Sequence, residues 1–305
     1  MEDVVTDVVD LFNGVNMVGH KNFQYNIVSN PNKAAIISTI IANYVSTNYT
    51  MGFSGWNTSR AEVEVGNMIA SLVDGWTPGQ QGGLFTFGGS GCYLYAMKYA
   101  ITSVLKDHNP RQAGINVKGR IITSRHGHFC NNISSDWLGV GMDSVVLIDT
   151  QPRTNKMCMI DLERKLQDAQ KAGEPVFVVV CTMGTTDSMV FDPVDEVHAL
   201  LDKYPNPKGF GRPHIYCDTV AGWAFLTFSK YDFAKNPLEF SPNVIDLLKR
   251  NVEEMSMVKY ADSMALDFHK SGYAPVTTSM FVARDGENFT STLSRPPGHI
   301  LHHRT

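Results

Sequence analysis

The sequence predicts an α/β domain built on a mainly parallel sheet with helices on both faces. Three observations predict it. Short β-branched or apolar runs alternate with helix-period segments from about Gly82 onward, which is the pattern of βα units. One run, Val176-Phe177-Val178-Val179-Val180-Cys181, is apolar throughout, as expected of a strand covered on both faces. Finally, the chemically unusual residues Ser90, His128, Thr186, Asp218 and Lys270 fall at or just beyond the carboxyl ends of predicted strands, where ligands sit in such sheets.

The bulk numbers narrow the function classes. A chain of 305 residues with 43% hydrophobic and 18% charged content is that of a globular protein with ample core. A net charge of -4 argues against a nucleic-acid partner, which selects a basic surface. No apolar run approaches the length that crosses a bilayer. The N-terminus, Met1-Glu2-Asp3-Val4-Val5, is acidic and carries no signal-peptide pattern. Cys92, Cys130, Cys158, Cys181 and Cys217 are odd in number and scattered. They read as reduced core thiols, so the expected compartment is the cytoplasm.

Taken in order, residues 1–50 carry helical periodicity and little else. Val4, Val5, Val8 and Leu11 share a face, and 34–45 is an apolar helix candidate. Such a segment suits a packing arm or a dimer contact. Residues 52–57 read as a loop, and Ser59-Arg60-Ala61-Glu62 has capping-box spacing before a helix carrying Val63, Met68 and Leu72. A strand at 82–87 ends in Gly88-Gly89-Ser90-Gly91 and is followed by a helix over 92–105. Further strands are expected at 119–124, 145–148, 176–181 and 214–217, with a loop and helix over 126–139. Asp161 is placed to cap one intervening helix, which Gly173 and Pro175 end. Asp192-Pro193 opens another. An apolar strand then runs through Met264-Ala265-Leu266 into Lys270, and 277–283 is one more.

The candidate site is read residue by residue. Gly88-Gly89-Ser90-Gly91 lies between a strand and a helix, where small residues and free N–H groups suit a single phosphate or an ordinary tight turn. It matches neither a Walker A loop nor the full dinucleotide fingerprint. Asp218 ends a buried strand and needs a donor partner, which a protonated pyridine nitrogen or a structural hydrogen bond can supply. His126, His128 and Cys130 would share a face on a strand, but no fourth ligand with metal-site spacing accompanies them, so no metal is expected. His128 alone can cover an aromatic ring and act as acid or base, or be a satisfied loop histidine. Thr186, in Gly184-Thr185-Thr186-Asp187, can donate to a phenolate or close a local turn. Lys270 can pair with a carboxylate, hold a phosphate, snorkel, or serve as a desolvated amine nucleophile. Beside it, His269 can donate to a phosphate or face away.

Together these segments resemble the group II pyridoxal phosphate-dependent amino acid decarboxylases, in order and with similar spacing from about Arg60 to Tyr273. Thr86-Phe87-Gly88-Gly89-Ser90-Gly91 resembles the family's phosphate loop. Ser124-Arg125-His126-Gly127-His128 resembles the segment whose histidine stacks on the cofactor. Thr182-Met183-Gly184-Thr185-Thr186 resembles the segment near the ring hydroxyl, Tyr216-Cys217-Asp218 the ring-nitrogen aspartate strand, and Asp267-Phe268-His269-Lys270 the Schiff-base segment.

The resemblance implies a fold-type I large domain with a mainly parallel seven-stranded sheet, over 51–285. It is preceded by a helical arm over 1–50 and followed by a polar tail over 286–305 that includes His299, His302 and His303. The implied reaction is pyridoxal 5'-phosphate-dependent decarboxylation of an L-amino acid by a homodimer, through a Lys270 aldimine. Gly89, Ser90, Gly91 and His269 would hold the phosphate, Asp218 the ring nitrogen and Thr186 the ring hydroxyl, while His128 covers the ring.

The sequence departs from the family at Thr219-Val220, where small residues are usual, and at Cys92-Tyr93. The family's small C-terminal domain is expected to be missing. The tyrosine that protonates the carbanion lies on a downstream loop in the family, and no tyrosine follows Tyr273 here. The expectations therefore keep three alternatives open: another carbon–carbon lyase or oxidative deamination on the same scaffold, a truncated or inactive scaffold-like relative, and a nucleotide-binding protein without lysine chemistry.

Overall fold

The computed structural model of the chain describes residues 2–15, 27–46 and 52–293. The tail histidines and part of the arm lie outside these. The elements run α1 (Glu2–Asp10), α2 (Lys33–Val45), α3 (Gly52–Ala70), β1 (Gly82–Thr86), α4 (Gly89–Val104), α5 (Pro110–Ala113) and β2 (Arg120–Ser124). They continue with α6 (Cys130–Trp137), β3 (Val145–Ile148), α7 (Met159–Ala172), β4 (Val176–Thr182), α8 (Val194–Lys203) and β5 (His214–Asp218). The last are α9 (Pro242–Met255), β6 (Ser263–Asp267), α10 (Phe268–Ser271), β7 (Ser279–Ala283) and α11 (Gly286–Leu293).

The seven strands form one sheet in the order β1-β7-β6-β5-β4-β2-β3. Only β7 runs against its neighbours, β1 and β6. Period-two alternation sends side chains of each central strand to opposite faces. Val179, Cys181, Ile215, Cys217, Met264 and Leu266 pack beneath α3, α7 and α8. Val178, Val180, Tyr216, Ala265 and Phe281 meet α4 on the other face. Every residue of β4 is buried, as its continuous apolar run predicts. All five cysteines are free. Among the described residues no helix is long and apolar enough to cross a membrane.

The register brings functional strand ends together. Thr86 of β1 lies opposite Ser279, Ser279 opposite Asp267, and Asp218 opposite both Ala265 and Thr182. One edge of the sheet therefore carries Thr86, Ser279, Asp267, Asp218 and Thr182, and α4 starts just above it.

Several local expectations are corrected. Residues 52–57 are the first turns of α3, not a loop, and Ser59 lies inside that helix. Extending an existing helix adds a bond per residue without a new nucleus, so weak helix formers are carried along. Asp161 is not a cap, because α7 begins at Met159 after Cys158. Its carboxylate instead accepts the Asp149 amide at 2.9 Å and pairs with Arg164, tying the helix to the end of β3. Asp192 likewise accepts the backbone N–H groups of Met157 and Thr182, each at 2.8 Å. His128 and Cys130 lie on a loop and the first turn of α6, not on a strand. Lys270 is not a strand end: β6 stops at Asp267, and the lysine rides on the single turn of α10.

Candidate active site

Gly88 adopts φ +115°, a backbone region closed to most side chains, and lets the chain turn from β1 directly into α4. Gly89 and Ser90 thereby form the first turn of a 16-residue helix, where unpaired amides and the helix dipole favour an anion. Ser90 Oγ lies 3.1 Å from Cys130 Sγ. Gly91 is differently placed, since its amide donates to the Gly88 carbonyl at 2.9 Å and closes the turn.

Asp218 ends β5 with its carboxylate buried. Tyr93, one turn along α4 from Ser90, donates its hydroxyl to Oδ2 at 2.6 Å, and the Val220 amide reaches Oδ1 at 3.3 Å. Burial raises the Asp218 pKa, and the Tyr93 hydrogen bond and the Lys270 charge oppose that rise. Burial also pushes the Tyr93 phenol well above its usual range, so it stays a donor. Thr219, one of the departures, donates its hydroxyl to the Ala265 carbonyl and braces β5 against β6.

Asp267 organises the lysine turn. Ser279 Oγ donates to its Oδ1 at 2.6 Å, and Lys270 Nζ lies 3.1 Å from its Oδ2. His269 Nε2 is 3.5 Å from the same oxygen, and Trp223 Nε1 donates to the Asp267 carbonyl at 3.0 Å. Across the site, the His128 ring stacks on Phe129 with centroids 4.2 Å apart. Burial lowers the His128 pKa, which keeps the imidazole neutral near pH 7.

Ser90, Tyr93, His128, Asp218, Asp267 and Lys270 help to line one cavity of about 170 Å³. Six of the predicted residues meet there: Gly89, Ser90, His128, Asp218, His269 and Lys270. Gly91 and Thr186 do not. Thr186 is exposed, because Gly184 (φ +113°) packs on the Gly222 backbone and the following turn carries residues 186–188 outward. Thr185 is the buried threonine of the pair, and its hydroxyl is 3.0 Å from Ser188 Oγ.

The cavity adds Tyr93, Cys130, Val220 and Asp267, which the sequence reading did not assign. Two had a local signal: Tyr93 follows Ser90, and Asp267 precedes Lys270, at the i,i+3 spacing of one helical face. A larger hollow of about 1150 Å³ lies at the opposite end of the sheet, lined in part by Gln80, Asp262 and Arg284. There Asp262 accepts the Ile215 amide and Arg284 donates to the Gly75 carbonyl, so these two charges serve structure. Among the described residues no cluster of His, Cys, Asp or Glu is arranged to hold a metal ion.

The donor set suits a pyridoxal phosphate. Asp218 is a buried carboxylate whose Oδ1 has only one long protein hydrogen bond, an arrangement that a ring N–H completes. An amine, a neutral imidazole and a helix N-terminus with a hydroxyl share its cavity.

Comparison with known proteins agrees. The pyridoxal-dependent decarboxylase conserved domain matches residues 1–225. The L-2,4-diaminobutyrate decarboxylase of Acinetobacter baumannii is 26% identical over 272 residues, which are 83% of this chain and 46% of that protein. An acidic amino acid decarboxylase of Bos taurus is 34% identical over 132 residues, 43% of this chain and 24% of its own length. Among solved structures, mouse CSAD superposes with a TM-score of 0.78 at 23% identity, covering 95% of this chain and 54% of its own. The chain thus spans about half the length of relatives that match most of it.

Proposed function

The chain belongs to the pyridoxal-dependent decarboxylase family, and from that premise we propose that it holds pyridoxal phosphate covalently on Lys270 and decarboxylates an amino acid. The observation that carries this reading is the convergence of Lys270, Asp218, His128 and Ser90 on one cavity at the sheet's carboxyl edge. Pyridoxal phosphate supplies, when bound, a carbonyl that reacts with amines and a ring that accepts the electron pair left as carbon dioxide departs.

The chain's residues do the rest. Ser90 Oγ and the first amides of α4 would hold the phosphate. Asp218 Oδ1 would hold a proton at the ring nitrogen, while Tyr93 occupies Oδ2 and fixes the carboxylate plane. His128, neutral and stacked on Phe129, would cover one face of the ring. Lys270 must leave Asp267, and its departure enlarges a cavity that is now below the 300–1,000 Å³ common for ligand pockets. Asp267 then retains its Ser279 hydrogen bond, which keeps the buried carboxylate satisfied. Thr186 and Gly91 are left out of these roles by their placement.

The curated relatives named above act on different amino acids, diaminobutyrate in one case and acidic amino acids in the other. The test therefore uses a panel. Purified protein is given pyridoxal phosphate, scanned for visible absorbance, reduced with borohydride and peptide-mapped. Carbon dioxide release is then measured over acidic, diamino and aromatic amino acids. Colour, label on Lys270 and release from one class are expected. A colourless protein with unlabelled Lys270 would sink the reading, and colour without release would replace decarboxylation by another lysine-based reaction. Lys270→Ala should abolish both signals. The exposed apolar face of α2 further supports the homodimer that the family resemblance implies.

A further inference from the structure

The lysine turn is fastened from far upstream in the sequence. Ser29, 241 residues before Lys270, donates its hydroxyl to the Lys270 carbonyl at 2.7 Å. The Ser29 amide donates to the same carbonyl at 3.1 Å. Ser29 Oγ in turn accepts the Tyr273 amide at 3.2 Å, and the Asn32 amide donates to the Tyr273 carbonyl at 2.8 Å. Asn32 also caps α2, its side chain accepting the Ala35 amide at 2.8 Å. The segment that launches the arm helix is therefore the segment that grips the lysine turn.

The grip falls where the turn cannot hold itself. α10 has four residues, too few to be stable alone, and its last carbonyls have no partner inside the helix. Ser29 satisfies one of them twice over. Just beyond, Tyr273 takes φ +54°, a left-handed conformation that residues with a Cβ adopt only when their surroundings impose it. Both its amide and its carbonyl are held by the arm. At the other end of the turn, Trp223 and Ser279 hold Asp267. A lysine Nζ hangs on a flexible four-carbon stem, so the backbone direction at Lys270 sets where the amine can reach.

We propose that Ser29 is a positioning residue for Lys270, and that docking of the arm is thereby linked to capture of pyridoxal phosphate. The inference rests on Lys270 being the cofactor lysine. It adds that an upstream serine fixes the turn bearing it.

The test compares Ser29→Ala, which removes two of the four bonds, with Ser29→Thr, which keeps a hydroxyl. Amide exchange over residues 268–274 is read in the cofactor-free protein. Pyridoxal phosphate affinity is read from visible absorbance, with borohydride labelling of Lys270 as a second signal. The expected result is faster exchange at Tyr273 and roughly tenfold weaker cofactor binding in Ser29→Ala, the scale of two modest hydrogen bonds. Ser29→Thr should restore both. Unchanged affinity in Ser29→Ala, with or without faster exchange, would overturn the positioning role and leave Ser29 as a structural staple. If the wild type binds no pyridoxal phosphate, the assignment of Lys270 fails first and the role of Ser29 falls with it.

Discussion

The carboxyl edge of the sheet and the N-terminal helices are built from equally apolar stretches, yet they end in opposite states. β4 buries all seven of its residues between two layers of helix. α2, whose sequence Lys33-Ala34-Ala35-Ile36-Ile37-Ser38-Thr39-Ile40-Ile41 is scarcely less apolar, buries none. Its Ile40 is 63% exposed and Tyr44 is 90% exposed. A face of that kind marks a surface meant to be covered. The contrast separates two jobs. Burial at the sheet edge is completed within the chain, and there it makes charge expensive enough to direct chemistry. On the arm the described residues leave the apolar face of α2 uncovered, while the arm's own root, Ser29, already touches the lysine turn.

The largest expected effect lies at the buried end. Asp218→Asn keeps the volume and the Tyr93 contact but removes the charge proposed to hold a proton on the ring nitrogen. Turnover should fall roughly a thousandfold, within the usual span for a lost proton-holding group. The measurement is carbon dioxide release alongside the absorbance of the bound cofactor. A loss below tenfold would remove Asp218 from the proposed role.

Packing should show the same asymmetry. Leu266 is fully buried on β6, one residue before Asp267. Leu266→Ala should cost about 3 kcal/mol of unfolding free energy. Ile40→Ala on α2 should stay within about 0.5 kcal/mol in dilute protein where no partner covers it. Chemical denaturation of both variants reads this directly. Equal losses would mean that the chain itself covers the arm.

Association should reverse the ranking. Placing charge on the apolar face with Ile37→Asp and Ile41→Asp should weaken the proposed homodimer at least a hundredfold, since an unpaired carboxylate would be desolvated in the contact. Light scattering across a concentration series should show a monomer where the wild type is dimeric. An unchanged mass would place the dimer contact elsewhere.

Much of the buried end was legible in the sequence. The β-branched run 176–181, bounded by Pro175 and the Gly184 turn, reads as a covered strand and is one, and six of the residues singled out by family order meet in one cavity. Three things were not legible, each for a physical reason. A helix of one turn has no periodicity to read, so Lys270 passed for a strand end. The outward turn of Thr186 depends on the approach of Gly184 to Gly222, a contact between segments distant in sequence. The partners Tyr93–Asp218 and Ser29–Lys270 are 125 and 241 residues apart, and local pattern carries no trace of such pairs. Cys92 and Tyr93 stood out as departures from the family, and Tyr93 proves to hold the central carboxylate.

The Tyr93–Asp218 hydrogen bond offers the most diagnostic of these effects. Tyr93→Phe keeps the ring and removes one hydrogen bond to a buried carboxylate, a loss of about 1.5–3 kcal/mol for a charged acceptor. The sign of its pH dependence follows from the Asp218 pKa, which is raised in the folded protein, chiefly by burial. A carboxyl with a raised folded pKa contributes stability below its unfolded value of about 3.9, and that contribution is lost as pH rises through the folded value. The Tyr93 hydroxyl lowers the folded value, so its removal raises it further and carries the decline to higher pH. The difference in melting temperature between wild type and Tyr93→Phe should therefore be small near pH 4 and widen toward pH 7 in cofactor-free protein. A difference independent of pH would show that the hydroxyl serves packing alone, with no hold on the charge of Asp218.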